Sequence, residues 1–195
     1  MDRDVLFDMY VNKKLSMKEI SMCVGRSVNG VVYWMEKYSI PRRSISEAVY
    51  LHKNPNGDPF IARLPKNVKE GILYGMGLGL FWGEGNKANK VSLRIGNSDP
   101  KLILKFIEFL EKFYCINRHS LRFSLQIFED LDSKATLSRW TKELGVSESQ
   151  FSKTTISKKR GSGTYRKKSH MGVLTLYFHN RKLRDLICKS AGIAQ

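Results

Sequence analysis

Glu84 is the residue in this chain whose placement asks for a chemical explanation. It comes near the end of GILYGMGLGLFWGEGNK, residues 71–87, in which Gly71, Gly75, Gly79 and Gly83 recur at every fourth position. That spacing sets the four glycines along one face of a helix. A glycine inside a helix costs about 0.5–1 kcal/mol relative to alanine. The cost is explained if the face must meet another backbone closely, as small residues at this spacing do in helix pairs. Glu84 then falls at the helix C-terminus, where the macrodipole disfavours a negative charge. Gly85 follows and lets the chain turn sharply. Two such helices paired about a two-fold axis would bring two Glu84 carboxylates together. Neighbouring acids can hold Mg2+ and activate water for phosphodiester cleavage. The competing reading is a solvated carboxylate at a helix end. Leu73, Met76, Leu80 and Phe81 are expected to bury in the chain's own core.

The elements that must position Glu84 follow from periodicity. A helix is expected over 66–83, then a strand over 90–97. Ser98 with Pro100 predicts the start of a helix running to Tyr114. Next come a strand over 120–128, a helix over 133–144, strands over 153–158 and 172–179, and a closing helix over 181–191. This part of the chain is mixed α and β.

Alternation sorts the strands onto two faces. Val91, Leu93, Ile95, Leu121, Phe123, Leu125, Ile127, Ile156, Leu174, Leu176 and Phe178 form the apolar face. The other face carries Ser92, Arg94, Gly96, Arg122, Ser124, Gln126, Lys153, Thr155, Ser157, Thr175, Tyr177 and His179. It holds cations and no carboxylate. Such side chains can read base edges and phosphates. The plainer alternative is the wet face of an antiparallel sheet. The segment 158–170 adds Lys158, Lys159, Arg160, Arg166, Lys167 and Lys168 among glycine and serine, which could wrap phosphates with salt-dependent affinity.

Residues 1–45 form a separate, all-helical pattern. Ser16 with Glu19 makes a capping box, Ile20, Cys23 and Val24 an apolar face, and Gly25 a helix stop. Ser27 opens a second helix whose Val31, Trp34 and Met35 face inward. Two short helices joined by a glycine turn make a helix-turn-helix, whose second helix enters the major groove by its N-terminal residues. Those are Val28, Asn29, Gly30, Val32 and Tyr33, with Asn29 able to pair with adenine. Lys37, Arg42 and Arg43 are expected on phosphates. An ordinary packing hairpin is the competing reading. Residues 46–65, containing KNPNGDP and Pro65, read as a linker or irregular loop.

Composition agrees with a polyanionic partner. The 195 residues hold 34 Lys+Arg against 18 Asp+Glu, a net charge of +16. At 42% hydrophobic the chain can build a core. Cys23, Cys115 and Cys188 are odd in number and far apart, which excludes a disulfide framework and a zinc ribbon. Cys23 and Cys188 read as small core residues, consistent with a reducing, intracellular setting. The histidines show no metal spacing. The uncharged run 71–83 is too short to span a bilayer, and the first residues do not read as a signal peptide.

GLGLFWGEG, residues 77–85, resembles the motif of the LAGLIDADG homing endonuclease-like family in its small residues, apolar residues and final acid–glycine pair. Gly77 and Trp82 depart from the motif's leucine and aspartate. The runs VSLRIGNSDPKLILKFIEFLEKFY and LGVSESQFSKTTI also resemble that family, so the likeness covers about residues 66–192. It implies an α+β fold: an αββαββα saddle domain over 66–195, preceded here by the small all-α helix-turn-helix domain. With a single motif it implies a homodimer joined through Gly71, Gly75, Gly79 and Gly83. It further implies cleavage of double-stranded DNA with Mg2+ or Mn2+, with Glu84 as catalytic acid and metal ligand. The family's polar residue at the end of the first strand corresponds to Asn97 or Asp99, and its basic residue to Lys87 or Lys158. Two other functions remain open on the same fold, a non-cutting transcription regulator and an RNA maturase.

Overall fold

Asp2 opens the first helix, α1 (Arg3–Phe7), by accepting the N–H groups of Asp4 and Val5, and a π-helical turn, Asp8–Asn12, continues it. The computed structural model describes residues 1–158 and 170–193. The chain divides into two units, Met1–Pro59 and Phe60–Gln195.

In the first unit α2 (Met17–Cys23) begins with the expected capping box between Ser16 and Glu19, both bonds present. The carboxyl of Glu19 is held below the usual carboxylate range, chiefly by the backbone N–H of Ser16. Gly25 has φ 61°, so the turn after α2 uses a left-handed conformation that favours glycine. Ser27 caps α3 (Val28–Lys37) through the N–H of Gly30. Leu6, Tyr10, Ile20, Val31, Met35 and Ile40 make a small core around which α1, α2 and α3 assemble. Cys23 is exposed and does not join it, contrary to the sequence reading. The buried side of this short helix runs instead through Ile20 and Ser21.

The first part of the stretch expected to be an irregular linker is helical, and residues 54–65 carry no regular element. Ser44 caps a helix, α4 (Ile45–Lys53), with Glu47 in its first turn. Capping and a favourable acid suffice to start it. Residues 60–65 belong to the second unit, where the N–H groups of Ile61 and Arg63 bond the carbonyls of Tyr114 and Phe113.

The second unit runs α5 (Val68–Glu84), β1 (Leu93–Asn97), α6 (Pro100–Tyr114), β2 (Arg122–Phe128), α7 (Ser133–Leu144), β3 (Thr155–Ser157), β4 (Val173–Phe178) and α8 (Arg181–Ser190). This αβαβαββα order follows the element reading and departs from αββαββα. The reason is local. Asn97 and Asp99 turn the chain after β1, and Asp99, rather than Ser98, caps α6, so one strand follows α5 instead of a hairpin.

The four strands form one mixed sheet in the order β1-β4-β2-β3, with β2 and β3 parallel and the other pairs antiparallel. Its apolar face is fully buried at Leu93, Ile95, Phe123, Leu125, Leu174 and Leu176, beneath side chains of α5, α6, α7 and α8. Helix α6 is the centre of that layer, burying seven residues from Ile103 to Tyr114. Each large side chain so buried contributes about 1.5–3 kcal/mol. Leu183, Ile187 and Cys188 anchor α8, and burial pushes the Cys188 thiol up. Two apolar assignments need correction. Val91 precedes the strand and is exposed, and Ile156 is 58% exposed because β3 is an edge strand. Among the described residues no helix is long and apolar enough to cross a membrane.

Candidate nucleic-acid interface

Helix α5 has two unlike sides. Phe81 and Gly77 face the core, and a Cβ built at Gly77 would lie 2.1 Å from Cγ of Phe109. Gly71, Gly75, Gly79 and Gly83 face open space, with nothing within 4 Å of a built Cβ. Ile72 and Trp82, each 63% exposed, are also outside the core. Met76 is exposed too, against the expectation that it buries, so α5 presents a partly apolar side with no cover among the described residues.

Glu84 stands at the end of that helix, exposed, with no hydrogen-bond or ion-pair partner among the described residues. Gly85, expected to let the chain turn sharply, keeps a negative φ. Its φ of −71° and ψ of 142° are extended, and it pairs with Ile95 of β1. Glycine is needed there for space, because a Cβ would come 2.3 Å from the carbonyl oxygen of Phe81. Glu84 is thereby tied to the β1 edge of the sheet.

Lys158 follows β3, at the opposite edge. Three strand spacings, roughly 14 Å, separate those edges. Within one chain, then, Lys158 does not stand beside Glu84. Lys87 is closer in sequence, and its Nζ lies 3.4 Å from the Gly83 carbonyl oxygen and 6.0 Å from the Trp82 ring centroid. The Asn97 side chain accepts the Asp99 N–H at 2.9 Å, which gives it a local structural task.

Among the described residues no three His, Cys, Asp or Glu side chains converge as a metal cage. Mg2+ commonly takes one or two carboxylates and leaves its other positions to water and phosphate oxygens. An exposed, unpartnered carboxylate fits an ion shared with phosphate, and it does not fit a resident structural ion.

The polar face of the sheet is ordered in rows. Arg94 and Arg122 flank Tyr177 in register, Gly96 and Ser124 flank Thr175, and Val173 and Thr155 flank Gln126. The guanidinium of Arg94 lies 5.9 Å from the Tyr177 ring centroid. Arg122 Nη1 donates to the carbonyls of His119 and Leu121, and Gln126 Nε2 donates to Ser157 Oγ at 3.1 Å. Lys153 and Thr155 are exposed. Phe128, 40% exposed, and Val173 share this face and escaped the sequence reading, although alternation from Arg122 places Phe128 there. Ser92 was expected on the same face and is fully buried beneath the turn that follows α5. Lys159, Arg160, Arg166, Lys167 and Lys168 lie outside the described residues.

In the first unit Val28, Asn29 and Tyr33 are exposed together at the start and outer side of α3. Arg42 is exposed beside Glu36 at 3.7 Å. Lys37 sits 4.7 Å over the Trp34 ring. Arg43 is not a free phosphate contact. Its guanidinium stacks on the Tyr10 ring and donates to the carbonyls of Lys14, Leu15 and Tyr10. Arg43→Ala is therefore expected to cost this unit about 2–3 kcal/mol, since hydrogen bonds from a charged group are among the stronger ones. Thermal melting checks this. An unchanged melt with weaker DNA binding would restore the phosphate reading.

The buried Arg184 of α8, 1% exposed, also escaped the sequence reading, since an amphipathic helix hides one cation among several. It donates to the Lys87 carbonyl and to Asp185, each at 2.8 Å. The chain matches no protein-family model, no curated protein and no solved structure.

Proposed function

We propose that this protein binds double-stranded DNA and cleaves it as a homodimeric, metal-dependent endonuclease of the LAGLIDADG-like kind. The observation that carries the DNA reading is the sheet face. Its outward positions hold Arg94, Arg122, Tyr177, Ser124, Thr175, Gln126 and Thr155, and none of the strands among the described residues carries a carboxylate. In a chain of net charge +16 such a surface suits a polyanion. The helix-turn-helix unit adds recognition through Val28, Asn29 and Tyr33. Homodimerisation is supported by the open glycine side of α5, and cleavage by the exposed carboxylate of Glu84 at the end of that side. Glu84, with phosphate oxygens, would hold Mg2+ or Mn2+, which supplies Lewis-acid stabilisation of the leaving oxygen and a more acidic water.

One observation favours a second reading, a regulator that binds without cutting. Among the described residues Glu84 belongs to no group of three metal-ligating side chains, and the basic residue Lys158 is at the far edge of the sheet. The test is incubation of the wild-type chain with a randomised duplex library in Mg2+ and in Mn2+, followed by sequencing of cut and bound fractions. Discrete cuts are expected. Tight, salt-dependent, sequence-selective binding with no cutting in either ion would leave the regulator. Preference for structured RNA over duplex DNA would overturn both.

A further inference from the structure

The turn between Glu84 and Arg94 is built around one side chain. Asn86 Oδ1 accepts the N–H of Asn89 at 3.0 Å. Asn89 Oδ1 then accepts three donors: the N–H of Val91 at 3.0 Å, the N–H of Ser92 at 2.8 Å and the hydroxyl of Ser92 at 3.0 Å. Since the Ser92 hydroxyl spends its proton on Asn89, its lone pairs are left to accept. Arg94 Nε donates to them at 2.8 Å. From behind, the buried Arg184 holds the carbonyl of Lys87, and the N–H of Asn86 bonds the carbonyl of Arg94.

We infer that Ser92 is a positioning residue that acts on DNA through Arg94. This rests on the DNA reading of the sheet face. Arginine carries several rotatable bonds, and a free one must lose that freedom when it binds. Here Nε is fixed by a fully buried hydroxyl, and the guanidinium lies 5.9 Å from the Tyr177 ring centroid. The two terminal nitrogens have no hydrogen-bond partner among the described residues. They are presented as a preset fork, the geometry that meets a pair of phosphate oxygens bidentately.

The test is a double-mutant cycle in the full-length chain, read by anisotropy with a labelled mixed-sequence duplex at low salt. Ser92→Ala is expected to weaken binding about threefold to tenfold, the cost of ordering one rotamer-rich side chain. In the Arg94→Ala background the same change should cost nothing further, because its partner is gone. Equal losses in both backgrounds would mean that Ser92 only supports the fold, and the inference fails. Melting curves check that each variant is folded. If Ser92→Ala does not fold, Arg94→Lys asks the question from the other end. Lysine keeps the charge but lacks Nε, so a loss comparable to that of Arg94→Ala supports the inference, and wild-type affinity overturns it. A wild-type chain that ignores duplex DNA would instead sink the underlying reading, and this inference with it.

Discussion

Glu84→Ala is expected to reduce metal-dependent cleavage of duplex DNA by about a thousandfold or more while leaving affinity for the same duplex within about threefold. The two effects separate because Glu84 is not part of the architecture. It is exposed, carries no partner among the described residues and ends a helix whose C-terminal dipole opposes its charge. Removing that charge should stabilise the folded chain slightly, by about 0.3–1 kcal/mol at low ionic strength. It should also remove repulsion from nearby phosphate, so binding holds or tightens. Cleavage assays in Mg2+ and Mn2+, with binding and melting on the same preparations, check all three. Cutting that survives the substitution would place the catalytic acid elsewhere. Cutting and folding lost together would make Glu84 a structural residue.

The glycines of α5 give the second large effect, and they should divide into two classes. Gly77→Ala pushes a methyl group into the ring of Phe109, which has no room to yield. Phe106, Phe113, Tyr114 and Tyr74 surround it with ring centroids 5.4–5.9 Å away. Overpacking of this kind costs about 3 kcal/mol, more than the gain of about 1 kcal/mol from replacing glycine in a helix. Gly79→Ala meets nothing within 4 Å, so the unassociated chain should gain about 0.5–1 kcal/mol. If α5 pairs with its copy through the glycine side, the same methyl must hinder close approach and weaken association. Denaturant melts combined with sedimentation analysis separate the two consequences. A Gly79→Ala chain that associates like wild type would remove the helix pair from the proposal, and an undisturbed Gly77→Ala melt would contradict the packing.

How much of this was legible beforehand depends on the range of the physics involved. Helix starts are written in a few neighbouring residues, so the Ser16–Glu19 box and the Ser27 cap could be read directly. Strand faces are written in a period of two, so Leu93, Ile95, Phe123, Leu125, Leu174 and Leu176 could be assigned to the core, and Arg94, Arg122 and Tyr177 to the opposite face. The four-residue glycine repeat likewise marked one side of α5, and that side is open.

Periodicity says which face is buried, but not what it meets. Only the fold decided that Gly77 and Gly85, the glycines outside the repeat, are pressed against rings, those of Phe109 and Phe81. Only strand order decided that Glu84 and Lys158 stand at opposite edges of the sheet, because β4 inserts between β1 and β2 and sends β3 outward. Arg43 and Arg94 show the same limit. Both are arginines in basic surroundings, yet one spends its guanidinium on three main-chain carbonyls while the other is held by a buried serine, its terminal nitrogens without a hydrogen-bond partner among the described residues. The sequence by itself determined most of the second unit's elements and the buried faces of their central strands, because those depend on neighbours a few residues apart; it missed α4 and misplaced Met76, Ile156 and Ser92, whose surroundings come from elsewhere in the chain. Which charges remain available to a partner depends on carbonyls and hydroxyls brought in from elsewhere in the chain, and only the tertiary structure decided that.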